Sequence, residues 1–286
     1  MHVGLATTAA ARGLDEDQAP LAQAFEALGH TAAAPEWEDR SVDWKSFDVV
    51  LLRSTWNYTE DLAAFLGWAR SVAAVTRLYN PIPALEWSTD KRYLLDLERA
   101  GVPIVPSSIV APGENWVAPP TDEFVIKPSV GAGSRGARRF LASDLAAAQL
   151  HAAGLHAEGY HTLTQPYLHS VDDYGETALM IFEGEFSHAI RKGPLLARGG
   201  GDVAGLFAKE TIDPRVPGAD ELEAAMRAVT TIPGGAPLYA RIDLIRDPKG
   251  QPCVLELEIA EPSLFFNYAA GSAGRFARRV LARLVA

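Results

Sequence analysis

Val125-Ile126-Lys127-Pro128-Ser129-Val130-Gly131-Ala132-Gly133-Ser134-Arg135-Gly136 is the stretch on which the reading of this chain turns. An apolar strand delivers Lys127 into a loop that carries Gly131, Gly133 and Gly136 with Ser129 and Ser134. Glycines let the backbone approach phosphate oxygens, and successive N–H groups form an anion nest. Lys127 sets a positive charge beside that nest. The loop is not a Walker A loop: no Lys-Ser/Thr pair follows its last glycine, and an extended segment, Ala137 to Leu141, comes next. Nor is it a dinucleotide fingerprint, because no helix follows it and no early βα turn holds it. On their own, the same residues also describe a flexible hairpin turn.

Downstream, Tyr239 to Ile245 reads as a strand with Arg241 and Asp243 on one face. Val254 to Ile259 is the next strand, with Glu256 and Glu258 on one face. Asp247-Pro248-Lys249-Gly250 makes the turn of a hairpin. Asp243, Glu256 and Glu258 would then converge. Carboxylates that close repel one another unless a cation sits among them, and all-oxygen ligands suit Mg²⁺ or Mn²⁺. A solvated strand face with alternating charge is the other reading. Between loop and hairpin, Thr164-Gln165-Pro166-Tyr167-Leu168 ends a strand. It reads either as a hinge offering backbone groups and apolar contact to a purine, or as an ordinary strand end.

Upstream, strand and helix alternate. Val3 to Thr7 is a strand, residues 17–28 a helix with Leu21, Ala24, Phe25 and Leu28 on one face, and Phe47 to Leu52 an apolar strand suited to burial on both sides. A second amphipathic helix spans 59–75, and Leu78 to Asn80 is a further strand. This βαβ layout predicts a small open parallel sheet. A helix over 89–101, capped at Ser88 or Thr89 and stopped by Gly101, leads into a different texture. Strands are expected at 104–110, 123–128, 137–141, 161–168, 177–183, 186–192, 206–211, 237–246 and 252–259. Helices are expected at 143–153, 218–230 and 271–285, with a glycine-rich segment over 193–205. The fold class is α/β followed by α+β.

Composition narrows the function. The chain of 286 residues holds 26 Lys+Arg against 36 Asp+Glu, a net charge of −10 that suits neither nucleic acid nor an anionic membrane. Cys253 is the single cysteine, so an intrachain disulfide and a cysteine metal site are both excluded. The histidines lack metal-peptidase spacing and read as surface or strand residues. No run approaches the ~20 apolar residues of a membrane span. Met1 to Ala6 reads as a strand, not a signal peptide. A cytoplasmic protein is expected, and a homodimer is the default assembly.

The order of these parts resembles the ATP-grasp superfamily over roughly residues 88–262. The resemblance implies an N-terminal parallel-sheet pre-ATP-grasp domain over 1–87, which holds substrate. A small central subdomain with the phosphate loop would span 88–166, and a C-terminal antiparallel subdomain with the metal site 167–286. It further implies that Lys91, Lys127, Gly131, Gly133 and Ser134 bind the phosphates of ATP. Gln165, Pro166, Tyr167 and Leu168 match the adenine hinge, and Asp243, Glu256 and Glu258 match the ligands of Mg²⁺ or Mn²⁺. Arg191 or Lys192 matches a basic residue facing phosphate or substrate. Arg241 matches one that contacts the acyl phosphate or substrate carboxylate. Arg241, Arg191 and Lys127 are thus the expected catalytic cations. The chain departs from the family pattern at Glu258, usually Asn, and at Glu261-Pro262-Ser263, usually Pro-Gly.

The implied chemistry is activation of a carboxylate by ATP through an acyl phosphate, followed by attack of a nitrogen nucleophile. The substrate is expected between the front domain and the acidic hairpin. There Arg53-Ser54-Thr55-Trp56-Asn57-Tyr58 suits a small amino-acid-like carboxylate, the alternative being a helix start with Trp56 and Tyr58 packed in the core. Arg198-Gly199-Gly200-Gly201-Asp202 is expected to close as a lid, with Arg198 meeting substrate. Together with Glu256 to Phe265, the Arg53–Tyr58 segment is similar to the small ATP-grasp cyclo-ligases of cycloserine biosynthesis. Those enzymes close O-ureidoserine onto its own carboxylate. A ligase joining separate substrates and a non-catalytic nucleotide-binding module are the alternatives.

Overall fold

The computed structural model describes residues 1–196 and 211–285. The opening alternation produces β1 (His2–Thr7), α1 (Gln18–Ala27), β2 (Thr31–Ala33), β3 (Val49–Ser54), α2 (Leu62–Ala73) and β4 (Arg77–Tyr79). The strands lie in the order β2-β1-β3-β4, all parallel. β3 is buried along its whole length, as an apolar strand covered on both faces must be. Val3, Leu5, Val49 and Leu51 pack with Leu21 and Phe25 of α1, while Ala6, Val50 and Leu52 pack with Phe65, Ala69 and Val72 of α2. Asp61 caps α2 by accepting the Ala64 amide at 2.9 Å. The short edge strand β2 lacks a hydrophobic pattern and was not anticipated.

A helix that was not expected, α3 (Ile82–Ser88), precedes the one expected over 89–101, which is the shorter α4 (Tyr93–Arg99). Pro83 sits in the first turn of α3, where its missing N–H costs nothing. Thr89 ends α3 by donating its hydroxyl to the Leu85 carbonyl at 2.9 Å, and Asp90 accepts the Arg92 amide at 3.0 Å. Such side-chain bonds to nearby backbone compete with helix. Ser88 therefore closes a helix rather than capping the next. The break leaves the Lys91 amide free to reach the Ser129 carbonyl, 2.7 Å away at the start of the glycine loop.

Next come β5 (Ser108–Val110), β6 (Glu123–Pro128), β7 (Arg138–Leu141), α5 (Leu145–Ala157) and β8 (Thr162–Pro166). Their strands form an antiparallel sheet in the order β5-β8-β6-β7. The glycine loop joins β6 to β7, so it is a hairpin loop as well as a candidate nest. The rest of the chain supplies α6 (Ser170–Asp173), β9 (Glu176–Phe182), β10 (Glu185–Lys192), β11 (Ile212–Arg215), α7 (Ala219–Val229), β12 (Tyr239–Arg246), β13 (Pro252–Glu258) and α8 (Ser272–Val285). These strands form a second antiparallel sheet, β11-β10-β9-β12-β13. The strand expected at 206–211 lies outside the described residues apart from Thr211, and β11 begins directly after it.

Strand alternation divides the larger sheet into two faces. Leu179, Ile181, Ala189, Ala240 and Ile242 pack against α4 and α7. Ala178, Met180, Phe182, Ile190 and Tyr239 pack toward α1 and α8. Among the described residues, no helix is long and apolar enough to cross a membrane.

Candidate active site

β12 and β13 pair with Arg241 opposite Glu258 and Asp243 opposite Glu256. The period-two reading of the hairpin therefore holds. Carboxylate oxygens of Asp243, Glu256 and Glu258 all come within 4.8 Å of one another. Cations surround them. Arg241 reaches Asp243 through Nε at 2.9 Å and Nη2 at 3.0 Å, and also pairs with Glu258. The Lys192 Nζ lies 2.7 Å from Asp243 and 3.0 Å from Glu176. The Lys91 Nζ stands 2.9 Å from Glu256 and donates to the Gly131 carbonyl.

This crowding shifts protonation. Burial alone would raise Glu256, but Lys91, Lys127 and Lys192 hold it down at about 2. Burial likewise opposes ionisation of Asp243, and Arg241 and Lys192 override it and keep its carboxyl below the usual range. Burial pushes Glu258 up to about 7; Arg241 opposes the rise, and Glu256 and Asp243 add to it. Glu261 is driven up to about 8 by burial and by Glu258. Burial lowers Lys127, Glu256 restrains the fall, and Lys91 and Lys192 deepen it. Three carboxylates with oxygens within 4.8 Å of one another offer the oxygen-only donor set that fits a hard divalent cation.

The glycine loop forms the opposite wall. Gly133, Ser134 and Gly136 have φ of 60°, 62° and 70°, the left-handed conformation that glycine adopts without penalty. A cleft runs from this loop to the acidic hairpin. Lys91, Lys127, Gly131, Gly133 and Ser134 line one end, and Gln165, Pro166, Tyr167 and Leu168 line another, with Glu176, Lys192 and Glu256 across from them. All the residues expected at phosphates and hinge thus share one cavity. Gln165 is buried and donates to the Ser107 hydroxyl at 3.0 Å. The Tyr167 ring carries the Arg139 guanidinium at 3.3 Å, and Arg139 pairs with Glu123 at 2.9 Å. Glu123 and Arg139 were missed by the sequence reading. They meet diagonally across β6 and β7, a neighbour relation that only the hairpin register reveals.

Other expectations need correcting. Arg191 does not face the acids. It follows Ala189 on the α7 side of the sheet and binds the Tyr174 and Asp173 carbonyls at 2.9 and 3.0 Å. Its neighbour Lys192 shares the face of Ile190 and takes the place at Asp243. Arg53 is fully buried, donates to the Pro262 carbonyl at 3.1 Å and pairs with Asp17 at 3.3 Å. It is a strut in this arrangement, not an open receptor for a carboxylate. Ser54 is buried against the Thr7 hydroxyl at 2.7 Å, and Thr55 is buried beside it in sequence. Trp56 and Tyr58 are buried, as the core-packing alternative required, yet the Trp56 indole also donates to the Glu261 carbonyl at 3.1 Å. Asn57 accepts from Trp37 at 2.8 Å and donates to Glu38. Arg198 and the rest of the expected lid, 199–202, lie outside the described residues. Cys253 is a buried free thiol among Val105, Leu168, Val171 and Ile245, as expected of a core residue.

A parallel front sheet, a small antiparallel sheet bearing a glycine loop and a larger one bearing an acidic hairpin define an ATP-grasp ligase. D-alanine–D-alanine ligase from Bacillus anthracis, solved with ATP, shares this fold with a TM-score of 0.72 at 14% identity, over 100% of this chain and 97% of its own. A family profile for the N-terminal domain of D-cycloserine synthetase DcsG matches residues 3–80. The cycloserine biosynthesis protein DcsG of Streptomyces lavendulae is 39% identical over 99% of this chain and 98% of its own length. The crystal structure of D-cycloserine synthetase DcsG superposes with a TM-score of 0.92 at 38% identity, over 99% of this chain and 100% of that one. The chain belongs to the DcsG family of ATP-grasp ligases.

Proposed function

We propose that this protein uses ATP to close O-ureidoserine into the cycloserine ring. The observation that carries the reading is full-length similarity to DcsG combined with a cleft in which one lysine, Lys91, touches both the phosphate-type loop and the acidic hairpin. Gln165 to Leu168 would take the adenine, and the loop from Gly131 to Ser134 would take the phosphates between Lys91 and Lys127. Asp243, Glu256 and Glu258 would hold Mg²⁺, or Mn²⁺ in its place. The cation would offset the repulsion among three carboxylates whose oxygens lie within 4.8 Å of one another.

Transfer of a phosphoryl group asks a protein mainly for positioning and charge neutralisation. Lys91, Lys127 and Lys192 would neutralise the polyphosphate side, and Arg241, beside Asp243 and Glu258, would meet the substrate carboxylate. The carboxylate oxygen accepts the terminal phosphoryl group and ADP departs. The ureido nitrogen bound to oxygen attacks the acyl carbon, its proton and the phosphate leave, and the ring closes; water afterwards takes the carbamoyl group, which departs as carbamate. The nucleophile is tethered to its own electrophile, so holding a single folded substrate realises a high effective molarity. No side-chain nucleophile is required.

Incubation with Mg·ATP, a panel of amino acids and both enantiomers of O-ureidoserine, with phosphate release and product mass measured, tests the proposal. Release with a product lighter than the substrate supports ring closure. A heavier product shows condensation of two substrates. ATP binding with no release from any member of the panel would show a binding module and overturn the proposal.

A further inference from the structure

The segment that follows the acidic hairpin is held at four carbonyls and three amides by side chains from elsewhere. The carbonyls of Glu261, Pro262, Ser263 and Leu264 are taken by Trp56 Nε1 at 3.1 Å, Arg53 Nη1 at 3.1 Å, Arg241 Nη1 at 3.4 Å and His188 Nε2 at 2.8 Å. The amides of Leu264, Phe265 and Phe266 all donate to one carboxylate, that of Asp17, at 2.5, 3.1 and 2.8 Å. Phe265 has a φ of 52°, a conformation a bulky side chain rarely adopts. The converging amides of its neighbours are what the carboxylate fixes in place.

Asp17 sits at the N-cap position of α1, yet its side chain makes no cap hydrogen bond to that helix. Its oxygens are spent on the distant segment and on Arg53, which returns from the same carboxylate to Pro262. The segment in turn surrounds Arg241. Ser263 accepts from its guanidinium, and the Phe265 ring lies 5.7 Å from it. Asp243 and Glu258 complete the enclosure from the hairpin side.

We propose that Asp17 is a positioning residue, which through residues 261–266 aims the Arg241 guanidinium at the reacting carboxylate. The proposal rests on the function inferred above. Displacement by about an ångström at a reacting centre is enough to cost ~10²-fold in rate.

The test uses the full chain with Asp17→Asn, and with Phe25→Leu in the core under α1 as a control of similar thermal destabilisation. Hydrogen exchange is followed in the peptide covering 264–266, and kcat and KM are measured for Mg·ATP and for O-ureidoserine. Asp17→Asn is expected to speed exchange in 264–266 and to lower kcat by roughly 10–100-fold. KM for Mg·ATP should stay within about twofold. Phe25→Leu should leave kcat near that of the parent. Unchanged exchange overturns the proposal, and so does a loss of turnover that tracks Tm equally in both variants. Should Asp17→Asn not fold, Asp17→Glu, which keeps the charge but displaces the carboxylate from the three amides, carries the same measurements. A parent protein that turns over nothing overturns the proposed function instead, and the positioning role is then decided by the exchange readout alone.

Discussion

Lys91 and Glu256 form an ion pair of 2.9 Å, and the same ammonium donates to the Gly131 carbonyl. The break between α3 and α4 thereby joins the glycine loop to the acidic hairpin across the cleft. Burial alone would lower the lysine, but Glu256, Glu258 and Glu261 keep its ammonium above the usual range. A residue placed so centrally makes the site a single electrostatic unit.

Glu256→Ala removes the carboxylate that Lys91, Lys127 and Lys192 all stabilise. We expect turnover to fall by ~10²–10³-fold, the usual loss for one electrostatic contact in a transition state. Phosphate release at saturating Mg·ATP measures it. Near-normal turnover would remove Glu256 from the site.

Lys127→Ala deletes the cation at the foot of the loop. A similar loss of ~10²–10³-fold in turnover is expected, read in the same assay with circular dichroism confirming the fold.

Lys192 and Arg191 are adjacent, and their opposite faces make opposite predictions. Lys192→Ala should lose at least ~10²-fold in turnover, whereas Arg191→Ala should stay within a few-fold, because among the described residues it hydrogen-bonds the carbonyls of Asp173 and Tyr174 near α6. Equal losses in both variants would contradict the face assignment.

Arg139→Leu strips the guanidinium from the Tyr167 ring and removes the ion pair made with Glu123 at 2.9 Å. KM for ATP is expected to rise by about tenfold with kcat little changed, the signature of lost ground-state binding. A fall in kcat at constant KM would place Arg139 in the chemistry instead.

His188 is buried and donates to the Leu264 carbonyl in its neutral form, and burial lowers its pKa from 6.5 to about 4. Between those values the unfolded chain binds the proton and the folded one does not. Stability is therefore complete above pH ~6.5 and falls as the pH drops toward 4, by up to about 3 kcal/mol. Urea unfolding across this range should show that slope. His188→Gln, which keeps a donor for Leu264 without the titration, should flatten it.

Much of this was legible from local order. β6 with its lysine and glycine loop, the strand end at Gln165–Pro166, and the Arg241–Asp243 and Glu256–Glu258 hairpin were placed correctly, the last because a period of two and a turn of Asp-Pro-Lys-Gly leave little freedom to a strand pair. The start of the helix over 89–101 was placed too early because Thr89 and Asp90 bond to nearby backbone, a competition that apolar spacing does not report. Arg191 was preferred in the site because both basic residues fit the pattern, and only the sheet's orientation toward α7 decides between them.

The sequence by itself determined which chemistry this protein carries, since cations, glycines and carboxylates must occur in a workable order along any chain that clamps a polyphosphate. Tertiary structure alone decided which of them meet. Arg53 was turned from receptor to strut, and Asp17 was drawn from its helix cap to the amides of Leu264, Phe265 and Phe266. The physical reason is burial: a polar group taken out of water must find partners wherever packing brings them, and those partners are set by how the sheets stack, not by neighbours in sequence.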